Sequence, residues 1–186
     1  MIAPVTDNAA ILFLDLQDEI LKNSGTVSAK QLKRTAGVLA RLAVLHKLPA
    51  FLSAVPPGGA FTDSVLEALP GAEPRMRTET TAFADHGLVD ALHASGRRLL
   101  ILSGVASEIV VQRTALDALR EGFEVQVLVD ACGGVDARTE DAAWRRIVQA
   151  GGVTSSVVTF AAELTGDFTT PTGGATLGLA YEAMGA

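Results

Sequence analysis

Cysteine occurs once, at Cys132, so the chain can form no internal disulfide, and a reducing compartment is its natural setting. Aromatic residues make up only 5 %, so a core has to be packed mainly from aliphatic side chains. Positive charge is also short: 15 Lys and Arg stand against 21 Asp and Glu, a formal net charge of −6. Nucleic-acid binding needs clustered cations and is not expected. No uncharged apolar run reaches the length that spans a bilayer, about 20 residues. The run Ala9–Leu14 is stopped by Asp15. The N-terminal segment lacks the basic lead and long apolar stretch of a signal peptide, so no membrane partner and a cytoplasmic setting are expected. No Gly-x-Gly-x-x-Gly follows a strand-like run, so no dinucleotide cofactor is expected. His46, His86 and His93 show no His-x-x-x-His or Asp-x-His spacing, and no metal is expected either.

What is present suits one α/β domain. The length is 186 residues and 48 % are hydrophobic, enough for a core without disulfides or metal. Ala9–Leu14 reads as a strand buried on both faces. Ser28 is a plausible N-cap for a helix running to Leu45, with Leu32, Val38, Leu39, Leu42 and Leu45 at helical spacing. Pro49–Ser53 reads as a second strand and Thr62–Leu69 as a short helix. Pro74–Phe83 is expected to hold a short strand and then a loop. Leu88–Ala94 reads as helix, Arg98–Ser103 as strand, Ser107–Glu121 as helix and Phe123–Val129 as strand running on into Asp130-Ala-Cys132. Thr139–Gln149 is predicted to be an amphipathic helix that largely buries Ala142, Ala143, Trp144, Ile147 and Val148. Gly152–Val158 is predicted as a last strand and Phe160–Leu164 as a short helix. The Gly- and Thr-rich tail from Thr165 is expected to order only against a neighbour.

Strands alternating with helices imply a three-layer, Rossmann-like parallel sheet with helices on both faces, in one domain over 1–186 with its core at about 9–164. Ligands of such sheets bind beyond the carboxyl ends of strands, near the point where strand order reverses. Three strand ends therefore draw attention: Asp15, the turn Gly104–Val110, and Asp130–Gly133.

The turn Leu102-Ser-Gly-Val-Ala-Ser-Glu-Ile-Val110 resembles the loop of the isochorismatase-like cysteine hydrolases, in which Gly-Val-Ala-Thr-x-x-Cys carries the nucleophile at a helix start. Further pieces agree in order. Asp15-Leu-Gln17 is similar to that family's Asp-x-Gln, and Arg77-Thr-Glu-Thr-Thr-Ala-Phe83 to its Lys-x-x-x-Ser-Ala-Phe. Gly122–Ala131 resembles its following strand and Arg138–Trp144 its next helix. The resemblance covers about Ala10 to Leu164, and the last third is most similar to the small amidohydrolase-like branch. Nicotinamidases carry a metal motif after the second strand, which Phe51–Pro57 lacks.

The resemblance implies a chemistry of an Asp base, a Lys and a Cys that attacks an amide carbonyl through its thiolate. Asp15 takes the base position, although a capping role would also explain it. Arg77 takes the Lys position, with Arg75 as the alternative, and a guanidinium keeps the charge but does not exchange protons. Val110 takes the Cys position and has no lone pair with which to start covalent catalysis. The family also implies a cis peptide at Val105–Ala106 and an oxyanion hole from the amides of Ala106 and Val110. Gln17, Phe83, Ala106 and Glu108 are the substrate-binding candidates, Glu108 being equally well explained as a charge at a helix start. Cys132 is either a replacement thiol or a small buried hydrophobe.

Three functions are compatible with this pattern. One is a hydrolase of a small molecule that works without the thiol, as true isochorismatases do, with Asp15 as proton donor. Another is a pseudoenzyme that binds a small ligand. The third is an oligomeric interaction protein. A homo-oligomer is expected in each.

Overall fold

In the computed structural model, which describes residues 6–185, a six-stranded parallel sheet in the order β3-β2-β1-β4-β5-β6 forms the middle layer. The strands are β1 (Ala9–Leu14), β2 (Ala50–Ala54), β3 (Arg75–Met76), β4 (Leu99–Val105), β5 (Glu124–Gly133) and β6 (Val153–Ser155). The helices are α1 (Asp18–Leu21), α2 (Ala29–Leu45), α3 (Asp63–Leu66), α4 (His86–Ala94), α5 (Gln112–Arg120), α6 (Ala137–Gln149), α7 (Val157–Thr165) and α8 (Pro171–Met184).

β1 shows why both layers of helices are needed. All six of its residues are buried, and because side chains alternate across a strand, each face must find its own cover. Ala9, Ile11 and Phe13 join the core under α2, α7 and α8, whereas Ala10, Leu12 and Leu14 join the core under α4, α5 and Ile147 of α6. Each fully buried Leu, Ile or Phe of this kind stabilises the fold by roughly 1.5–3 kcal/mol. α2 begins where Ser28 accepts a hydrogen bond from the Gln31 N–H.

Strand order reverses between β1 and β4, which pair in register from Ala9–Leu99 to Leu14–Gly104. The crevice of the sheet opens beyond their carboxyl ends. Gly104 is required there: a Cβ at this position would stand 2.3 Å from the carbonyl oxygen of Leu14. One residue beyond Leu14, Asp15 takes a left-handed backbone with φ 52°, a conformation that Asp and Asn tolerate better than most residues.

Some expectations need correction. The last strand is only Val153–Ser155, because Ser156 caps a helix that already contains Val157 and Val158. In α6, Ala143 and Ile147 are buried, but Ala142 is exposed, Trp144 is half-buried and Val148 is 50 % exposed. Only one narrow stripe of this helix meets the sheet. The tail is not left open: Thr170 caps α8, which packs on α7 and α2 and inserts Thr176, Ala180 and Ala183. Its helical pattern escapes notice because glycine and threonine, poor helix formers, occupy the buried side. No helix among the described residues is long and apolar enough to cross a membrane.

Gly104→Ala should therefore cost about 1–3 kcal/mol as an overpacking substitution at a backbone contact. A urea midpoint unchanged from wild type would show that β1 and β4 can separate to admit a methyl group.

Candidate functional site

A cleft of about 560 Å³ lies at the strand-order reversal, lined by residues that include Asp15, Arg77, Val105, Ala106, Val110 and Val135. Asp15 is turned into it by the left-handed step at the end of β1, and its N–H is held by the Ser53 carbonyl at 2.9 Å. Arg77 follows β3 and keeps the strand pairing through a 3.0 Å hydrogen bond from its N–H to the Ala54 carbonyl. Its side chain then reaches back across β2. Nη1 donates to Asp15 Oδ1 at 2.6 Å and to the Ser53 hydroxyl at 2.9 Å, and Nη2 donates to Asp15 Oδ2 at 2.7 Å.

The pair is deeply placed, with side-chain exposures of 2 % for Arg77 and 8 % for Asp15. Burial pushes the Asp15 carboxyl above its ordinary value, and hydrogen bonding and attraction from Arg77 pull it back. The two-oxygen grip is that of an anion, since a protonated carboxyl would set an O–H against guanidinium N–H groups. Each Asp15 oxygen thereby accepts one guanidinium hydrogen bond. The Arg77 Nε is buried with no hydrogen-bond partner among the described residues.

The opposite wall is built by the end of β4 and the turn after it. The Val105–Ala106 peptide is cis. A single π-helical turn, Ser107–Val111, leads into α5. The N–H groups of Ile109 and Val111 both donate to the Ala106 carbonyl. Val110 is 1 % exposed and closes this wall with an isopropyl group.

The cleft thus gathers Asp15, Arg77, Ala106 and Val110. It does not gather the other candidates. Gln17 spends its amide on the backbone, with Nε2 donating to the carbonyls of Val55 and Gly59 and Oε1 accepting from the Val55 N–H. Phe83 packs edge-on against Phe123, 6.0 Å between ring centres, beside a different cavity. Glu108 accepts from the Val135 N–H at 3.0 Å and the Thr139 hydroxyl at 2.6 Å, pinning the loop before α6. Arg75 is tied to Asp85 by two hydrogen bonds at the surface, so Arg77 is the arginine that meets Asp15.

Cys132 is wholly buried, its thiol against the Leu102 carbonyl, and forms no part of the cleft wall. Burial pushes its pKa far up, which keeps it a thiol. Asp130, at the same strand end, accepts from the Val157 N–H at 2.8 Å and so starts α7.

Sequence reasoning missed Val135, Ser53 and Glu79. Val135 follows directly on the strand end Asp130–Gly133, and Ser53 is the polar residue near the close of an apolar strand. Glu79 stands two residues after Arg77. Among the described residues, no three of His, Cys, Asp and Glu converge as metal ligands would.

Arg77→Met should destabilise the protein by about 3–5 kcal/mol at neutral pH, because it leaves a buried carboxylate unpaired. A carboxyl whose folded pKa lies above its unfolded value costs stability in full above the folded value, and the cost is relieved as pH falls from the folded to the unfolded value. Without Arg77 that window widens upward, so the variant should recover part of its loss when urea titrations move from about pH 7.5 to about pH 5. A loss that is the same at both values would mean that Asp15 is reached by water.

The isochorismatase domain matches residues 9–158 of this chain. The probable hydrolase YcaC of Escherichia coli is 31 % identical over 149 residues, 78 % of this chain and 72 % of that protein. The structure of YcaC from Pseudomonas aeruginosa, with hexane-2,5-diol and covalent acrylamide, superposes with a TM-score of 0.89 at 30 % identity. It covers 98 % of this chain and 93 % of that one. The Escherichia coli YcaC structure, described as an octameric hydrolase of unknown specificity, gives 0.89 at 30 % identity over 95 % of this chain and 89 % of that one. With the domain match running from the first residue of β1 into the first turn of α7, and with likeness to YcaC over nearly the whole fold, the chain belongs to the isochorismatase family.

Proposed function

We propose that this isochorismatase-family protein binds a small molecule in the Asp15–Arg77 cleft and performs no thiol hydrolysis there. Val110, in this reading, stands where the family carries its nucleophilic cysteine. The observation that carries the proposal is chemical: the only cysteine of the chain is Cys132, wholly buried and outside the cleft wall. The hydroxyls in that wall belong to Thr78 and Thr80, and no described side chain hydrogen-bonds to either as a base would. Of the two carboxylates in that wall, Asp15 accepts from Arg77 through both oxygens, and Glu79 is exposed and accepts from the N–H of Thr78.

A second reading is a cysteine-free hydrolase in which Asp15 passes a proton to the substrate. It is favoured by the upward push of burial on the Asp15 carboxyl. The binding reading has better support, because a donor role requires the acid to leave a two-bond grip in a buried place.

The oligomer is carried in this proposal as well. Tyr181 and Met184 are 53 % and 57 % exposed near the end of α8 and Phe168 is 63 % exposed before its start, side chains that a second copy would cover. Light scattering should give a mass several times 19.3 kDa, and a monomer would remove this part of the proposal.

The deciding experiment assays purified wild type on small amides and on isochorismate, beside Asp15→Asn, Val110→Cys and the double variant Val110→Cys/Arg77→Lys. Wild type should be silent, its Cys132 labelled by iodoacetamide only after denaturation, and amidase activity should appear in the double variant. Turnover by wild type that Asp15→Asn abolishes would establish the cysteine-free hydrolase instead.

A further inference from the structure

We infer that the cleft selects small organic cations, whose ammonium or guanidinium group pairs with Glu79 on a wall shared with a second cavity. This rests on the binding reading above and adds the class of ligand. The cleft of about 560 Å³ and a neighbouring cavity of about 450 Å³ are both lined by Pro56, Arg77, Thr78 and Glu79. The segment Arg77–Glu79 therefore divides the two spaces.

Acidic groups along both spaces are matched by a cation, with one exception. In the cleft, Asp15 is held by Arg77 through two hydrogen bonds. In the second cavity, Asp85 is held by Arg75 through Nε at 2.6 Å and Nη2 at 3.1 Å. That pair is braced against Gly87, where a Cβ would collide with the Arg75 guanidinium. Glu79 is left over. Among the described residues, no Lys, Arg or His nitrogen forms an ion pair with it. Its carboxylate accepts from the N–H of the adjacent Thr78 at 3.2 Å, and its side chain is exposed.

A carboxylate without a counter-ion at the edge of an apolar cleft sets the sign of the ligand. Ile20, Val55, Pro57, Ile109 and Val135 supply a surface for a short hydrocarbon body. A cation that lays its body there gains the attraction of Glu79, and because that carboxylate is exposed, both charges keep part of their hydration. A neutral molecule gains the apolar contact alone. An anion is repelled by Glu79 and by a chain whose net charge is −6. Exposure also means screening, so the preference is modest and weakens with salt.

The test is an NMR titration of the whole ¹⁵N-labelled chain with n-butylammonium chloride and with 1-butanol, at about pH 7.5, where an alkylamine is ionised. Both should shift the amides of Val110 and Val135, and butylammonium should also shift Thr78 and Glu79 and bind roughly threefold more tightly. Glu79→Gln should bring butylammonium down to the affinity of butanol. Glu163→Gln, which removes the same charge from an exposed position of α7 that lines neither cavity, should keep the gap. Butylammonium binding no tighter than butanol would overturn the inference while leaving the binding reading intact. A gap that survives Glu79→Gln, or that Glu163→Gln removes equally, would overturn the pairing with Glu79. No cleft shift with either compound at any soluble concentration would bring down the binding reading together with the inference.

Discussion

The ion pair of Asp15 and Arg77 ties together the ends of β1, β2 and β3 and fixes the floor of the cleft. Two charges are placed where water is nearly excluded, and such a pair is tolerable only if each partner satisfies the other. Local features follow from that requirement. Asp15 adopts a left-handed backbone that points its carboxylate off the sheet. Arg77 stays paired to Ala54, which sets the root of its side chain, and Ser53 offers a hydroxyl along its path. Polar residues at or just beyond the ends of β1, β2 and β3 are thus parts of one arrangement, and none of them is explained alone.

The wall opposite the pair is held by a different set of polar contacts, to backbone and to side chains. Glu108 and Thr26 grip the loop around Val135 and Gly134, and Ser107 donates to Glu140 on α6. Gln17 spans from the end of β1 to the loop after β2, so closely that a Cβ on Gly58 would fall 2.4 Å from its amide carbon. These side chains position the loops that line the cleft and do not line it themselves. Polar residues near a pocket can be necessary to it without touching what enters.

That distinction marks where sequence reading stops. β1, α2 and β4 are legible because long apolar runs and helical spacing leave few alternatives, and the same is true of the cleft's location at the strand-order reversal. Asp15 was legible as a charge closing a buried strand, and Arg77 as one of two candidate arginines. The choice between Arg77 and Arg75 was not, since it depends on Asp85 capturing Arg75. Nor was the fate of Gln17, Phe83 and Glu108, because local spacing does not reveal which backbone amide or ring will come within reach. α8 was missed for a related reason: its buried residues are small, so close helix contact replaces the large apolar stripe that periodicity detects.

In the reading proposed above, the electrostatics of the floor connect Arg77 with Val110. A lysine beside Asp15 would make a single-point contact and leave one carboxylate oxygen able to take a proton from a nucleophile. The Arg77 fork occupies both oxygens, so the aspartate is held as a counter-ion. A thiol facing such an aspartate would lack its base, and a hydrocarbon facing it costs the chemistry nothing further. Val110 packs at 1 % exposure beside Val111 and Leu14 in the core under α4 and α5, where an aliphatic group adds to the buried apolar surface. In the proposed reading, Arg77 holds the aspartate as a counter-ion and Val110 turns its position into packing, so the two residues are physically consistent with one another.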